Sequence, residues 1–490
     1  MRRLAPALLA AAFASGCAST PHRTPDVRLP ARYEAPDAAA TLTPAELDRW
    51  WLLFNDPQLN ALEDEAFAHS PDARTLAARV MEARATRNAQ TAQTLPSGNI
   101  SGQAKREHAY NIGGASTQLF PIGGTTDTRT ANFNVSWEID LFGRLAVARK
   151  VADASQAEAR FNVEAARASL AASVADNYFQ AKGLAAQLRD ARQNAGIQGD
   201  LLHVAQRKAT VGLGPQSDVD RIGGDLAQSE AQAENLEAQW HAAQRQLLIL
   251  VGRGFDPTSA LGTGPEVNDP PPVPAALPGD LLARRPDVRE AEARITVQAG
   301  TGRLRHLAIF PTFTLLPGLG LSRTSSPGVS FIPPATLQPA QQVTSLGFWS
   351  LAAGVSQPTL DIPRLLYEAK AEDARTEQAV IAYEKTVQTA FGEADNALVN
   401  LGAGEKALAT LVDGEVRAKR ASDAARKRYT MGLDELTSAL SAQQAWLSAH
   451  GALTSARTQA LREAVSAYKA IGGGWPFAAM ARSRAPVATP

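Results

Sequence analysis

The feature that most constrains the fold is an internal duplication of the sequence. When the 490 residues are compared with themselves at a shift of 220, Val135-Ser136 aligns with Val355-Ser356. Upstream the shift is 215, and Pro71-Asp72 aligns with Pro286-Asp287. Further landmarks in the two registers are Arg144 with Arg364, Lys150 with Lys370, Gly252 with Gly472, Arg79 with Arg294 and Pro96 with Pro311. A repeat of this length indicates one supersecondary unit used twice, so we expect an internal two-fold repeat in the fold.

Each repeat begins with a helix and a pair of strands. Ser70-Pro71 is a typical N-cap and first-turn pair, so a helix is predicted over residues 72–93. Further on, apolar and polar side chains alternate, which predicts strands with one apolar face. Two strands per repeat, about ten residues each, have the length that a tilted membrane-crossing strand needs. The apolar positions are Phe133, Val135, Trp137 and Ile139, repeated at Trp349, Leu351, Ala353 and Val355; the polar ones are Asn132, Asn134 and Ser136.

A long helix follows each strand pair. Residues 144–211 contain no proline, and about 65 helical residues span roughly 100 Å. Two seams of small residues at heptad spacing run along this helix, which favours neighbours on both sides, as in a hollow barrel of helices. A plain antiparallel coiled-coil rod is the alternative. The seams are Leu170, Val174, Asn177, Ala181, Leu184, Leu188 and Ala191, and Phe161, Ala165, Ala168, Ala172, Ala175 and Phe179.

Glycines end the long helices and predict sharp reversals. Gly212 and Gly432 can adopt the left-handed conformation that closes a helix. Return helices are predicted over 217–251 and 435–471. The chain thus divides into a signal peptide (1–16), a lipidated N-terminal segment with the start of the first helix (17–70), a first repeat (71–264), a Pro-rich linker (265–280), a second repeat (281–475) and a disordered tail (476–490).

The composition argues against several functions. Lys and Arg together number 49, as do Asp and Glu, so the basic excess expected of a nucleic-acid-binding protein is missing. The seven histidines form no H-x-x-x-H or H-E-x-x-H pair, and the sequence contains no G-x-S-x-G elbow and no Walker loop. We therefore predict no enzymatic activity, no cofactor and no metal centre.

The only cysteine lies at the end of a signal-like segment. Two arginines and a short apolar run precede Ala14-Ser15-Gly16-Cys17, and this run is too short to span a bilayer. The ending is similar to a bacterial lipobox, which predicts lipidation of Cys17; an ordinary signal peptide with an incidental cysteine is the alternative. Ala18 after the cysteine favours the outer membrane. Beyond residue 17 no stretch of 18 or more apolar residues occurs, so any membrane crossing must use β-strands.

Five motifs carry a resemblance to a known family. The sequence resembles the NodT-type outer-membrane lipoproteins of efflux systems, within the wider TolC-like family. The matching stretches span nearly the whole mature chain, and those at 137–144 and 277–289 are the most specific. The motifs are Trp50-Trp51-x-x-Phe54-x-Asp56-Pro57-x-Leu59, Trp137-Glu138-Ile139-Asp140-Leu141-Phe142-Gly143-Arg144, Leu277-Pro278-x-x-Leu281-Leu282-x-Arg284-Arg285-Pro286-Asp287-Val288-Arg289, Arg428-Tyr429-x-x-Gly432 and Ala470-Ile471-Gly472-Gly473-Gly474-Trp475.

The resemblance implies a fold and a function. The expected fold is that of an α+β membrane protein: a homotrimer with a periplasmic α-barrel of long helices and a transmembrane β-barrel to which each chain gives four strands. The expected function is the exit duct of a tripartite efflux pump, anchored by lipid in the outer membrane of a Gram-negative bacterium and extending into the periplasm. Its partners would be a periplasmic adaptor and an inner-membrane resistance-nodulation-division transporter. A duct of type I secretion and a structural periplasmic rod are the alternatives, and the transported substrate is not legible.

The resemblance also implies a closed aperture near the helix turns. Relatives commonly carry an acidic residue just after the second turn, where this sequence has Ser438 and Ser441. Asp434, Asp218 and Asp220 are the nearby carboxylates, and three copies around an axis would attract cations. The alternative is that these acids only favour the positive end of a helix dipole. The turn residues expected to dock the adaptor are Gly212, Leu213, Gly432 and Leu433.

Overall fold

The computed structural model describes residues 23–34, 40–41, 43–110, 124–272, 274–275, 277–332 and 336–476. The signal peptide, Cys17 and the tail from residue 477 onward lie outside the described residues. The chain divides into two compact units, which are described separately. The sheet unit includes Arg84–Gln156 and Arg294–Ala379, and the helical unit includes Thr24–Ala83, Ala157–Ala293 and the residues from Val380 onward.

Helices account for most of the described chain. In chain order they are α1 (Pro44–Asp48), α2 (Pro57–His69), α3 (Pro71–Ala92), α4 (Arg144–Thr210), α5 (Gln216–Leu250), α6 (Leu281–Arg284), α7 (Pro286–Leu307), α8 (Ile362–Thr430) and α9 (Leu436–Ala470). The predicted bounds of α3, α4, α5 and α9 agree with these to one residue at each end. None of the helices within the described ranges is both long enough and apolar enough to cross a membrane.

Local side-chain contacts explain where the early helices begin. Ser70 caps α3 as predicted, because its hydroxyl accepts a hydrogen bond from the amide of Ala73 at 3.1 Å. The sequence reading missed α1 and α2, although both carry legible caps. Thr43 and Glu46 form a capping box on α1, and the carboxylate of Asp56 accepts from two amides in the first turn of α2.

Four strands form one antiparallel sheet in the sheet unit. They are β1 (Ser97–Ala109), β2 (Gly124–Ile139), β3 (Thr312–Ile332) and β4 (Thr336–Ser356), in the order β1-β2-β3-β4. The predicted length of about ten residues is too short, because the strands contain 13, 16, 21 and 21 residues. The pairing of β2 with β3 joins strands from the two halves of the chain.

The predicted apolar face of β2 continues across the whole sheet. Ile100, Phe133, Leu319 and Trp349 are successive partners on β1, β2, β3 and β4, and all four side chains are exposed. The next register positions on β2 and β3 are Asn134 and Gly318, which face the other way because side chains alternate along a strand. We call the first set the apolar face; it includes Trp137, Ile139, Leu321, Leu351 and Val355, all of them exposed.

Aromatic side chains form the centre of the helical unit. Trp50 is fully buried and stacks on Tyr468, with ring centroids 5.9 Å apart and planes 4° from parallel. The indole of Trp475 donates a hydrogen bond of 2.8 Å to the carbonyl of Arg284. Arg285 donates to the carbonyls of Ala390 and Ala470, at 3.3 and 3.2 Å. The motifs at 50–59, 277–289 and 470–475 therefore hold this core together.

Candidate functional site: the paired helix turns

The turns that end α4 and α8 have the same geometry. Gly212 and Gly432 have φ of 76° and 75°. The amide of Leu213 donates to the carbonyl of Lys208 at 2.8 Å, and the amide of Leu433 donates to the carbonyl of Arg428 at 2.9 Å. Each glycine amide also donates to a carbonyl three residues earlier, which completes a Schellman motif at both ends. A side chain at either glycine would strain the left-handed backbone, so both turns depend on Gly.

The two turns lie together in the helical unit. A small apolar cluster joins them, to which α4, α5, α8 and α9 all contribute. The ammonium group of Lys208 lies 3.9 Å from the centroid of the Tyr429 ring, so the last turn of α4 contacts the last turn of α8. The buried members of the cluster are Leu201, Ala205, Ile222, Tyr429, Leu436 and Ala439. Two segments that are more than 200 residues apart thus form one site, here called the paired turns.

The paired turns present apolar and basic side chains to solvent. Val211, Leu213, Met431 and Leu433 are 68 %, 78 %, 70 % and 69 % exposed. The last turns of α4 and α8 carry Arg207 with Lys208 and Lys427 with Arg428, where cations favour the negative end of each helix dipole. Sequence reasoning identified both leucines but missed Val211 and Met431. Their repeated place just before each glycine was the signal that could have found them.

The predicted acidic residues have different surroundings in the structure. Asp434 lies just before α9 and forms an ion pair with Arg428. The Nε atom of Arg428 lies 3.4 Å from Oδ2 of Asp434. Asp218 lies in the first turn of α5, as the dipole alternative requires. The Asp220 carboxylate accepts a hydrogen bond of 3.4 Å from the side chain of Gln216. Asp434 therefore has a cationic partner that the sequence reading did not foresee.

Ser438 and Ser441 lie on the exposed side of the first turns of α9. The hydroxyl of Ser441 donates to the carbonyl of Ser438 at 3.0 Å, so this hydroxyl finds its hydrogen-bond acceptor within the helix. Neither serine carries charge. The structure brings both serines, Asp434 and the two glycine turns into the same end of the helical unit.

Comparison with known proteins gives consistent results over nearly the whole chain. The family model described as outer membrane efflux protein matches residues 62–253 and 277–473. The pyoverdine export outer membrane protein OpmQ of Pseudomonas aeruginosa is 28 % identical over 442 residues, which cover 89 % of this chain and 90 % of the relative. The toluene efflux pump outer membrane protein TtgC of Pseudomonas putida is 26 % identical over 491 residues, covering 97 % and 96 %.

Solved structures show the same fold. The outer-membrane channel OprN superposes with a TM-score of 0.77 at 24 % sequence identity. The match covers 94 % of this chain and 99 % of that channel. The helix-rich architecture with a four-stranded sheet is therefore that of TolC-like channels, as the sequence motifs predicted.

Proposed function

The chain belongs to the outer membrane efflux protein family, and from that premise we propose that three copies assemble into one lipid-anchored duct. The family function is that of the outer-membrane exit duct of an efflux pump. Within that function, the trimer, the anchor, the aperture and the partners are our proposals.

The four-stranded sheet is the main observation that supports assembly of several copies. Among the described residues of a single chain, β1 and β4 each pair on one side only, so this sheet has two open edges. Unpaired backbone groups are not tolerated in lipid, and open edges bind further strands. The exposed apolar face is suited to lipid contact, whereas a soluble periplasmic rod would give it no partner. Further copies that pair β4 with β1 would close a barrel.

The described N-terminal segment supports a lipid anchor at Cys17. The backbone amides of Glu34 and Asp26 donate to carboxylates of α8 at Asp395 and Glu384, at 2.7 and 2.8 Å. In the sheet unit, Arg23 pairs with Glu377 at 2.9 Å. The segment therefore runs along α8 toward the start of that helix as it is followed back toward the N-terminus.

The distance from Glu377 to the start of α8 is compatible with an anchor at Cys17. Glu377 lies 15 residues after Ile362, the first residue of α8, which is about 22 Å along the helix. A chain of six residues, the separation of Cys17 from Arg23, spans at most about 20 Å. The chain is thus long enough to bring Cys17 near the end of β4, where the start of α8 follows the strand. An anchor at this level would lie close to the membrane surface.

Cys17→Ser is expected to abolish acylation while trimers still insert. One acyl chain contributes much less to membrane attachment than a barrel embedded in the bilayer. Metabolic labelling with a radioactive fatty acid, followed by separation of unheated outer-membrane extracts, measures both effects. Ser19→Ala is the matched control and should retain the label. Label that persists in Cys17→Ser would favour the ordinary signal peptide.

We propose that the paired turns form the closed aperture and the docking surface of the adaptor. Asp434, Asp218 and Asp220 are the aperture carboxylates, with Ser438 and Ser441 beside them. The residues Gly212, Leu213, Gly432 and Leu433 form the tips that meet the adaptor. The exposed apolar side chains Val211, Leu213, Met431 and Leu433 support this assignment, because a partner protein could cover them. The adaptor would connect the duct to a resistance-nodulation-division transporter.

Asp434→Ala is expected to lower the cation preference of the resting channel roughly two- to fivefold. The substitution removes a carboxylate and leaves the guanidinium of Arg428 without that partner, so each aperture site becomes more positive. Single-channel recording in planar bilayers under a salt gradient measures the change. Asp218→Ala is the comparison variant. If Asp218→Ala alters selectivity and Asp434→Ala does not, the first repeat lines the aperture and the assignment is reversed.

A further inference from the structure

A charged cluster links three helices of the helical unit beyond the paired turns. The ring of His450 on α9 lies between two carboxylates, with Nε2 3.2 Å from Oδ2 of Asp190 on α4 and Nδ1 3.1 Å from Oε1 of Glu415 on α8. His450 is 14 residues after the start of α9, or about 20 Å along that helix. The three side chains are 29 %, 13 % and 13 % exposed, so water reaches them only in part.

The two flanking carboxylates favour a doubly protonated imidazole. Ionised carboxylate oxygens only accept hydrogen bonds, so both ring nitrogens must donate to make both contacts. A neutral histidine has one N–H and one bare lone pair. Loss of a proton therefore breaks one contact and leaves a lone pair facing a carboxylate. The bridge between α4 and α8 through α9 exists in full only when His450 carries its charge.

The other groups around His450 stabilise the ionised forms of Asp190 and Glu415. On α4, Arg189 pairs with Asp190 at 3.1 Å. On α9, the Thr454 hydroxyl donates to Asp190 at 3.1 Å and the Trp446 indole donates to Glu415 at 2.9 Å. The Trp446 and His450 hydrogen bonds lower the pKa of Glu415 against the effect of burial. On α8, the ammonium group of Lys419, 5.3 Å from the centroid of the Trp446 ring, adds a smaller effect in the same direction. These donors keep both acceptors ionised.

The pKa directions agree with this arrangement. The hydrogen bond to Asp190 is the largest cause that raises the pKa of His450 above its ordinary value of 6.5, and Glu415 adds to it. Burial raises the pKa of both carboxyls, but the contacts with His450 and the neighbouring donors outweigh it and lower them. A raised histidine pKa stabilises the fold fully below pH 6.5. That stabilisation is lost as pH rises through the higher folded value.

We propose that His450 is a proton-dependent clasp that holds α4 against α8 and α9 and loosens as the pH rises. The clasp joins the two sequence repeats, because Asp190 belongs to the first and Glu415 to the second. In the duct, its release would favour separation of the helices and hence the open state. This last step rests on the proposed channel function, whereas the clasp itself is a property of the folded chain.

The first test measures thermal unfolding of the purified full-length protein between about pH 6 and about pH 9. The variants are His450→Gln and the matched control His241→Gln, since His241 is exposed on α5. We expect the unfolding midpoint of His450→Gln to lie below the wild type at the acidic end and to converge with it as pH rises. His241→Gln should follow the wild type. A gap that stays constant with pH overturns the proposal, because it would reflect packing and not protonation.

A second readout reports on the cluster directly. The ring centroids of Trp446 and His450 are 5.7 Å apart, and a neighbouring cation perturbs an indole. We expect the fluorescence difference between wild type and Trp446→Phe to titrate above pH 6.5. This titration should be lost in His450→Gln and should move to lower pH in Asp190→Asn, because Asp190 is the main cause of the raised pKa of His450. If His450→Gln does not fold, Asp190→Asn serves as the test variant in its place. The absence of a titration in the wild type would contradict the clasp.

Single-channel recording tests the effect on opening. Loss of one charged hydrogen bond should raise the open-to-closed ratio about fivefold from about pH 6 to about pH 9 in the wild type, and not in His450→Gln. If the fluorescence titrates but the open fraction of the channel does not change with pH, the clasp has no role in opening. No conductance in any variant would instead contradict the proposed duct.

Discussion

Leu319→Arg is expected to remove most of the assembled protein from the outer membrane. Leu319 lies on the apolar face of β3, between its partners Phe133 on β2 and Trp349 on β4. If this face contacts lipid, an arginine there destabilises each chain by about 2–4 kcal/mol near the middle of the bilayer. In the proposed trimer, three copies of the substitution would multiply the effect. Quantifying heat-modifiable trimers in unheated outer-membrane extracts measures the loss.

Ser350→Arg is the matched control for this prediction. Ser350 pairs with Gly318, and the hydroxyl of Ser350 lies where a side chain at Gly318 would project, so it occupies the opposite face of the sheet. An arginine there would face water and should reduce trimers only slightly. Equal loss in both variants, or in neither, would contradict the orientation of the sheet toward lipid.

Gly473→Ala is expected to destabilise the helical unit by about 1–3 kcal/mol. A Cβ atom at this position would lie 2.8 Å from the Trp50 ring, 2.8 Å from the carbonyl oxygen of Tyr468 and 2.9 Å from that of Leu47. The two backbone oxygens cannot move without breaking the packing of Trp50. Thermal or denaturant unfolding of the purified protein measures the loss.

Gly451→Ala gives the same chemical change with the opposite expected sign. Gly451 lies within α9, and nothing lies within 4 Å of a Cβ atom built there. Alanine in a helix interior should stabilise the chain by about 0.5–1 kcal/mol. If Gly473→Ala leaves the unfolding midpoint unchanged or raises it, the close packing of the closing Gly-Gly-Gly-Trp motif does not determine stability.

The long helices could be predicted from the sequence because their signals are local. The glycines at 212 and 432 determine where α4 and α8 end, and the structure agrees to one residue. The lengths of β3 and β4 could not be predicted in this way. Pro317 and Pro327 lie inside β3, and proline normally argues against a strand. Pairing with β4 overrides that local preference.

The candidate site shows the same division between local and long-range signals. Both glycine turns could be predicted from the sequence, because a Schellman motif depends on a few consecutive residues. The contact of Lys208 with Tyr429 and the ion pair of Asp434 with Arg428 depend on how helices and turns pack. The clasp at His450 likewise joins residues from three separate helices, so no pattern in the sequence indicated it.

The pairing of β2 with β3 also has a consequence for biogenesis. Asp127 of β2 pairs with Ser325 of β3, about 200 residues later in the chain. The first hairpin therefore emerges long before its partner strand has been synthesised, and an isolated two-stranded hairpin is marginally stable in water. During secretion its apolar side chains would be exposed until the second half of the polypeptide arrives. Such exposure would make the unfinished chain prone to aggregation during export.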